Sequence, residues 1–366
     1  MATSNKALAA VYEGVGLIRI REFDIPDVRE DDGLLRIEMA GVCGSDTKHY
    51  RRPMASRCAP PLIMGHEIVG HIAKIGPIAS ARWGLHEGDH VVVDSIAGCG
   101  RCAACVSGNY RYCRDSIGYG TKSSCSVPPH LWGGYAQYMY LAPNSLVFKI
   151  APDLSPEAGI AICAVVANGI RWVRTIGQVA VGDAVVIQGV GAQGLAAIIA
   201  AREAGARLIV ATGLTRDQAR FELAREMGAH HLIDIQQEDA IARVREFTGG
   251  EMADVVVDVA GSRAAAPMAI ELVRPLGTVV TAGLTGGQVS QLVVEKIALK
   301  ELKFLGCFTH DVKAIVSAIR LVETDKYPVH KLVTHKYPLL EADLAVRVAA
   351  GEVEGESPVK VALVPN

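Results

Sequence analysis

Residues 184–203 read AVVIQGVGAQGLAAIIAARE, and the second half of the chain is organised around them. The stretch 184–188 has the length and apolar character of a buried strand, and the Ala/Ile/Leu pattern of 195–203 that of a helix. The turn between them, Gly189-Val190-Gly191-Ala192-Gln193-Gly194, matches G-x-G-x-x-G. In a chain with 37 glycines such a match arises easily by chance, so its weight comes from its place between strand and helix. There the first glycine makes the tight turn, the second admits a pyrophosphate to the backbone, and the third lets helix and strand approach. The helix N-terminus, with Ala192 and Gln193 at its opening, then offers amide donors to the phosphates. The plainer alternative is a glycine-rich turn that binds nothing.

Working outward, strands at 208–211, 231–235, 255–259 and 278–282 alternate with helices at 217–227, 240–247 and 264–273. That alternation predicts a doubly wound parallel sheet of the α/β class. A dinucleotide cradle of this kind ordinarily meets a carboxylate about 20 residues on, which binds the ribose 2′-hydroxyl of NAD. Here residues 211–217 read ATGLTRD, with Gly213 at the expected position. Two accounts stay open. Arg216 neutralises the additional phosphate of NADP, or Asp217 reaches the ribose from a longer turn and selects NAD. Asp217 also suits a plain helix cap.

Upstream the texture differs. Short alternating runs at 34–39, 68–75 and 90–94, broken by Gly, Pro and Asp, predict a β-rich region. A helix at 311–323 and a last strand at 359–364 follow the parallel sheet. For 366 residues, two domains are expected. A formal charge of −2 gives no electrostatic reason for a nucleic acid or an acidic membrane as partner. No run of about 18 apolar residues predicts a membrane span, and the opening Met1 to Asn5 lacks the basic start of a secretion signal. Nine cysteines without an export signal imply a reducing compartment, so the cytoplasm is the expected location.

Four of those cysteines crowd into GCGRCAACVSGNYRYC, residues 98–113, a loop with no hydrophobic pattern. Four thiolates at Cys99, Cys102, Cys105 and Cys113 can close a tetrahedron around zinc at about 2.3 Å per bond, leaving no corner for substrate, so the predicted site is structural. Two disulfides are the alternative, disfavoured in a reducing compartment. A second set is dispersed, with Cys43 and His66 in the β-rich region and Cys163 at its end. One imidazole and two thiolates with a vacant fourth corner describe a catalytic zinc able to polarise an alcohol or carbonyl oxygen. Singly, each of the three is an ordinary core residue; only the combination points to metal.

Taken together these motifs resemble the zinc-containing medium-chain alcohol dehydrogenase family over nearly the whole chain. Gly65-His66-Glu67-Ile68-Val69-Gly70 with Gly76 is similar to that family's zinc signature. Gly88-Asp89-His90-Val91 and the cysteine loop follow in order, and Trp132-Gly133-Gly134-Tyr135-Ala136 is similar to the segment after them. The resemblance implies a GroES-like β-rich catalytic domain from residues 1–163 and 305–366, interrupted by a Rossmann domain at 164–304. It implies a catalytic zinc on Cys43, His66 and Cys163, with Glu67 close behind the metal and Asp46 orienting His66, and a structural zinc on the cysteine loop. The implied activity is hydride transfer between a small alcohol, or its aldehyde or ketone, and NAD or NADP, with Ser45 taking the alcohol proton. The nicotinamide end would meet Val259, Gly261, Gly283, Leu284 and Phe308, and the protein would form dimers or tetramers.

The chain departs from the family pattern in places. Lys48 stands where many relatives carry a relay histidine, with His49 one residue late. Cys163 stands where polyol dehydrogenases of the family often carry a carboxylate, which argues against a sorbitol-type substrate. The 116–130 insert, with Cys125 and His130, is expected at the substrate entrance, and Cys58, Cys125 and Cys307 read as ordinary or pocket-lining residues. An alcohol dehydrogenase or carbonyl reductase is the leading reading. The alternatives are a polyol or sugar dehydrogenase of the same fold, and a non-catalytic sensor that binds zinc and dinucleotide.

Overall fold

The structure, a computed structural model, describes residues 5–52 and 58–365. Residues 1–4, part of the stretch read above for a secretion signal, lie outside them. The chain divides into two compact units, Met1–Ala164 with Val329–Asn366, and Val165–Pro328.

Alternation builds the first unit. In the strand Gly33–Val42, Leu35 and Ile37 enter the core while Arg36 is exposed and Glu38 half-buried. Ile68 and Ile72 of Glu67–Ile75, and Val91 and Val93 of His90–Val93, meet them in the same core. The sheet runs Val147–Lys149, His90–Val93, Glu67–Ile75, Gly33–Val42, Lys360–Val364, Val333–Pro338, and Tyr138–Leu141 also pairs with Gly33–Val42. The C-terminal strand Lys360–Val364 lies antiparallel beside Gly33–Val42, so both ends of the chain share one sheet. A separate sheet joins Leu17–Asp24, Lys6–Gly14 and Leu62–Ile63, a feature the sequence patterns did not reveal.

The second unit is a six-stranded parallel sheet. Its order is His231–Asp234, Leu208–Gly213, Ala184–Gln188, Ala253–Asp258, Val273–Thr281, Lys303–Gly306, the doubly wound arrangement in which ligands sit beyond the carboxyl ends of the strands. Every residue of Ala184–Gln188 is buried, as expected for a strand covered on both faces. One boundary differs from expectation. The second unit extends to Pro328 instead of ending at 304, because Lys303–Gly306 finds its partner on the edge beside Val273–Thr281 and Val312–Val322 packs near Ala167–Ile170. The chain therefore returns to the first unit at Val329.

A second difference concerns the helical run Pro156–Ile176. With 21 residues and a mean hydropathy of 1.3 it is long and apolar enough to meet the criterion for a membrane span, against the expectation of none. Because 83% of its apolar window is buried inside the protein, it has the character of a core helix.

Candidate active site

In the first unit, Cys43, His66 and Glu67 bring donor atoms within 4.8 Å of one another, and so do the four loop cysteines. Cys43 is the extended residue at the start of the helix Gly44–Arg51, and its N–H donates to Asp46 Oδ2 at 3.1 Å. Asp46 Oδ1 lies 3.3 Å from His66 Nδ1, and the Tyr135 hydroxyl donates to Asp46 Oδ2 at 3.0 Å. One fully buried carboxylate thus holds the Cys43 backbone and the imidazole together. The far ring atom, His66 Nε2, is 3.5 Å from Ser45 Oγ. Burial alone would lower the His66 pKa, but Asp46 and Cys43 carry it up to about 10. Burial and Glu67 push the Cys43 thiol up, yet neighbouring His66 outweighs them and leaves it below its ordinary value. A thiolate is the form of cysteine that binds metal.

Glu67 follows His66 in sequence and is fully buried against Gly41, where a Cβ would collide with its carboxylate. It pairs with Lys360, itself buried, from the C-terminal strand. Cys163 is placed differently from the other two, Cys43 and His66. It lies on the π-helical segment Ile162–Val166, is buried, and is outside the donor group formed by Cys43, His66 and Glu67. Burial pushes its thiol well above the ordinary range, with Asp94 adding to the rise. Strand adjacency brings Glu67 to the cluster, whereas Cys163 arrives on a helix positioned by its own packing.

His49, the displaced relay candidate, is buried with its ring 4.8 Å from that of Tyr12. Lys48 has its pKa lowered by burial, an effect that Cys43 partly opposes. In the 116–130 insert, His130 Nδ1 is 2.9 Å from the Cys125 carbonyl, and Trp132 Nε1 donates to the Val127 carbonyl at 2.8 Å. The insert is also tied to neighbouring segments, with Ser124 Oγ and Cys125 N both donating to the Pro61 carbonyl.

The cysteine loop gathers its sulfurs without forming disulfides. Cys99 and Cys105 Sγ are 4.0 Å apart, close to the edge of about 3.8 Å of a tetrahedron with ~2.3 Å zinc–sulfur bonds. Gly98 is glycine for this reason, since a Cβ there would sit 2.6 Å from Cys105 Sγ. Backbone N–H groups of Arg101 and Cys102 hold the Cys99 pKa down to about 6, while burial pushes that of Cys105 up to about 12.

In the second unit, Gly189 has φ +100°, a conformation that favours glycine, and makes the turn after the first strand. A Cβ on Gly194 would lie 1.8 Å from the Gly189 carbonyl, so the third glycine is required by packing. Gly191 is different. Nothing lies within 4 Å of its Cβ position, and it caps the helix Ala192–Glu203 without a side-chain bond. The protein leaves that space and those amides open, which is what a pyrophosphate needs. Gln193 accepts from Asn168 Nδ2 at 3.3 Å.

Gly213 ends its strand against Phe221 and Val190, whose atoms a Cβ would meet at 2.8–2.9 Å. Asp217 is engaged locally, accepting from Leu214 N at 2.9 Å and pairing with Arg220 at 2.7 Å. Arg216 is exposed and makes no ion pair among the described residues. Near the carboxyl ends of the later strands, Gly261 and Gly283 pack backbone to backbone, and a Cβ on Gly283 would lie 2.4 Å from Gly261 N. Val259 donates its N–H to Gln188, and Leu284 and Phe308 are each 50% exposed.

Asp258 escaped the sequence reading. It closes the strand Ala253–Asp258, is 3% exposed, and accepts from Ala260 N at 3.0 Å. Burial pushes its pKa up to about 6, partly opposed by the Ala260 and Gly261 amides and the Thr281 hydroxyl. The folded protein therefore binds this proton more tightly than the unfolded chain does, so the contribution to stability falls as pH rises from about 4 to about 6. Asp258→Asn removes that dependence. Its stability relative to wild type is expected to shift in its favour by up to about 3 kcal/mol between pH 4 and pH 7. Denaturant unfolding of both proteins at the two pH values measures the difference; a constant gap would refute it.

Residues 29–153 match the alcohol dehydrogenase GroES-like domain, and residues 192–324 match the zinc-binding dehydrogenase family. A Mycobacterium tuberculosis protein named as a probable alcohol dehydrogenase is 40% identical, the alignment covering 98% of each chain. The chain belongs to the zinc-containing medium-chain dehydrogenase/reductase family. Among solved structures of this kind, an alcohol dehydrogenase from Thermotoga maritima superposes with a TM-score of 0.88 at 29% identity, covering 99% of this chain and 100% of the other. A Sinorhizobium meliloti 1021 protein assigned to the zinc-binding dehydrogenases, solved with NADP, gives 0.86 at 27% identity, covering 98% and 99%. As a member of the zinc-containing medium-chain family, the protein is an NAD(P)-dependent alcohol dehydrogenase, an oxidoreductase acting on small molecules with zinc as its metal.

Proposed function

We propose that the enzyme transfers hydride between a small alcohol, or its aldehyde or ketone, and NADP, with the reacting oxygen bound beside Cys43, His66 and Ser45. The first unit is then the catalytic domain and the second the dinucleotide-binding domain. The observation that carries this reading is the buried Asp46 carboxylate, which lies against both the Cys43 backbone and the His66 ring and so preorganises the two donor side chains. Cys43, His66 and Cys163 would hold the catalytic zinc, with Glu67 paired to Lys360 behind it, and Cys99, Cys102, Cys105 and Cys113 the structural one. When bound, the catalytic zinc supplies Lewis-acid stabilisation of charge on the substrate oxygen, and the nicotinamide accepts or returns the hydride. Ser45 relays the hydroxyl proton, accepting it in oxidation only as it passes its own proton onward to water, with the reverse in reduction, its Oγ lying 3.5 Å from His66 Nε2. Gly189, Gly191, Ala192, Gln193 and Gly194 receive the pyrophosphate, and Val259, Gly261, Gly283, Leu284 and Phe308 the nicotinamide end.

The choice of NADP rests on three neighbouring facts. Gly213 supplies no carboxylate, Asp217 is committed to Leu214 and Arg220, and Arg216 is exposed with no ion pair among the described residues. Arg216→Ala is expected to raise the KM for NADP roughly 10–100-fold, the loss of one charge-assisted contact, and to leave NAD within about threefold. Equal effects on both dinucleotides would remove Arg216 from the phosphate. Screening small alcohols and ketones for absorbance change with NADP and NAD tests the whole reading, and no turnover with any pair would sink it.

A cytoplasmic homodimer or homotetramer completes the proposal. Supporting the assembly, Leu276, Val289, Val293, Val294 and Leu299 are exposed near the free edge strand Lys303–Gly306. A monomeric sedimentation coefficient would contradict it.

A further inference from the structure

A third group of metal-donor side chains lies in the first unit, on strands that carry none of the residues of the cysteine loop. Glu38, His71 and His90 bring donor atoms within 4.8 Å of one another. They sit on three successive strands of one sheet, Gly33–Val42, Glu67–Ile75 and His90–Val93. His71 and His90 stand directly opposite each other in the antiparallel ladder, and their rings stack with centroids 4.6 Å apart at 16°. Glu38 reaches them through a β-bulge. The register with the neighbouring strand slips between Ile37 and Met39, leaving Glu38 as the inserted residue. Bulges of this kind re-aim a side chain, and here Glu38 is turned over the histidine pair.

The hydrogen bonds of the rings define what their remaining atoms can do. His71 Nδ1 is 3.3 Å from the Gly88 carbonyl, and His90 Nδ1 is 3.1 Å from the Ala151 carbonyl. A carbonyl only accepts, so each Nδ1 carries the hydrogen and each neutral ring turns an Nε2 lone pair away from it. Both lone pairs point at the same carboxylate oxygen, with Glu38 Oε2 3.5 Å from His71 Nε2 and 3.2 Å from His90 Nε2. Three acceptor atoms facing one another repel unless a cation stands between them. A proton answers only part of this: Glu38 raises the pKa of His90 and His90 lowers that of Glu38, but one proton shared across their 3.2 Å separation leaves the His71 lone pair facing the carboxylate unanswered. A metal ion fits better. Tetrahedral bonds of ~2.0–2.1 Å to nitrogen and oxygen place donors about 3.4 Å apart, a value that lies between the observed separations of 3.2 and 3.5 Å. The backbone carbonyls behind both rings are the outer support that histidine ligands ordinarily have.

We propose that Glu38, His71 and His90 form a further divalent-cation site, suited to zinc or a similar borderline transition ion. Two imidazoles and one carboxylate are the donor set such ions prefer. The His90 side chain is 3% exposed, while those of His71 and Glu38 are 27% and 34% exposed, so the ion is entered from the His71–Glu38 side and keeps coordination positions for water. The bound ion clamps three neighbouring strands of the catalytic domain. It is separate from the Cys43–His66 cluster and from the cysteine loop, and it neither depends on the dehydrogenase reading nor supports it.

Zinc titration of the holoenzyme, dialysed free of loosely held metal and followed by isothermal calorimetry, tests the site. Wild type is expected to take up one further equivalent per chain, and uptake raises its unfolding temperature. Glu38→Gln and His71→Asn, both at partly exposed positions, are expected to bind that equivalent at least ~10-fold more weakly while retaining alcohol oxidation and their other zinc. Absence of an additional equivalent in wild type overturns the proposal, as does undiminished uptake in both variants. A failed activity assay with intact uptake would count against the dehydrogenase reading alone.

Discussion

Cys102→Ser is expected to release one zinc ion per chain and to lower the unfolding temperature by roughly 6–12 °C, the effect of about 3 kcal/mol in a unit of this size. The reason lies in what the loop lacks. Val106 is 76% and Tyr112 60% exposed, so two of its three largest apolar side chains face outward while its sulfurs face one another. Tyr110 ties the loop to the core, its hydroxyl donating to Asp94 Oδ2 at 2.5 Å. A metal cross-link through the four sulfurs would add a strong restraint, and binding energy in such a site acts as folding energy. Because all four donors would be protein sulfur, the folded variant should retain kcat/KM within a few-fold. Metal analysis with thermal unfolding measures the first part, and steady-state kinetics below the new transition the second. Unchanged unfolding would mean that the four thiols hold nothing.

The parts of the molecule legible in sequence are those whose cause is local. The strand Ala184–Gln188 and the helix Ala240–Phe247 fall where the apolar pattern puts them. The roles of Gly189 and Gly194 are also local, because a turn and a close contact five residues apart need no distant partner. What could not be read depends on neighbours remote in sequence. Lys6–Gly14 becomes the middle of a sheet only when Leu62–Ile63 pairs with it. Lys303–Gly306 belongs to the second unit only because Val273–Thr281 offers an edge. Asp258 looks like any strand-terminal aspartate until burial raises its pKa. The inward turn of Glu38 needs a bulge that no alternation announces. In the candidate site the same division holds. Cys43 and Asp46 are three residues apart and His66 adjoins Glu67, whereas the place of Cys163 depends on a helix that arrives a hundred residues later.

That division makes the third zinc ligand the sharpest question about the active site. Two side chains compete for the role: Glu67, already in the donor group, and Cys163, buried but outside it. Glu67 has its charge matched by the buried Lys360, and pulling it onto a metal would leave that ammonium unpaired in the core, at a cost of several kcal/mol. The Cys163 thiol carries no such commitment. Burial holds its proton, and a metal ion is the partner that would remove it. Cys163→Ala is accordingly expected to lose the catalytic zinc, lowering the metal content by one ion per chain, and to reduce kcat/KM at least ~1000-fold, about 4 kcal/mol of transition-state stabilisation. Dinucleotide binding, read by fluorescence quenching, should stay near wild type. Glu67→Gln is expected to keep its zinc and lose only about 10–100-fold, the usual consequence of altering a group behind the ligands. If the pattern reverses, with zinc lost from Glu67→Gln and retained by Cys163→Ala, the carboxylate is the ligand and Lys360 must find another counter-charge.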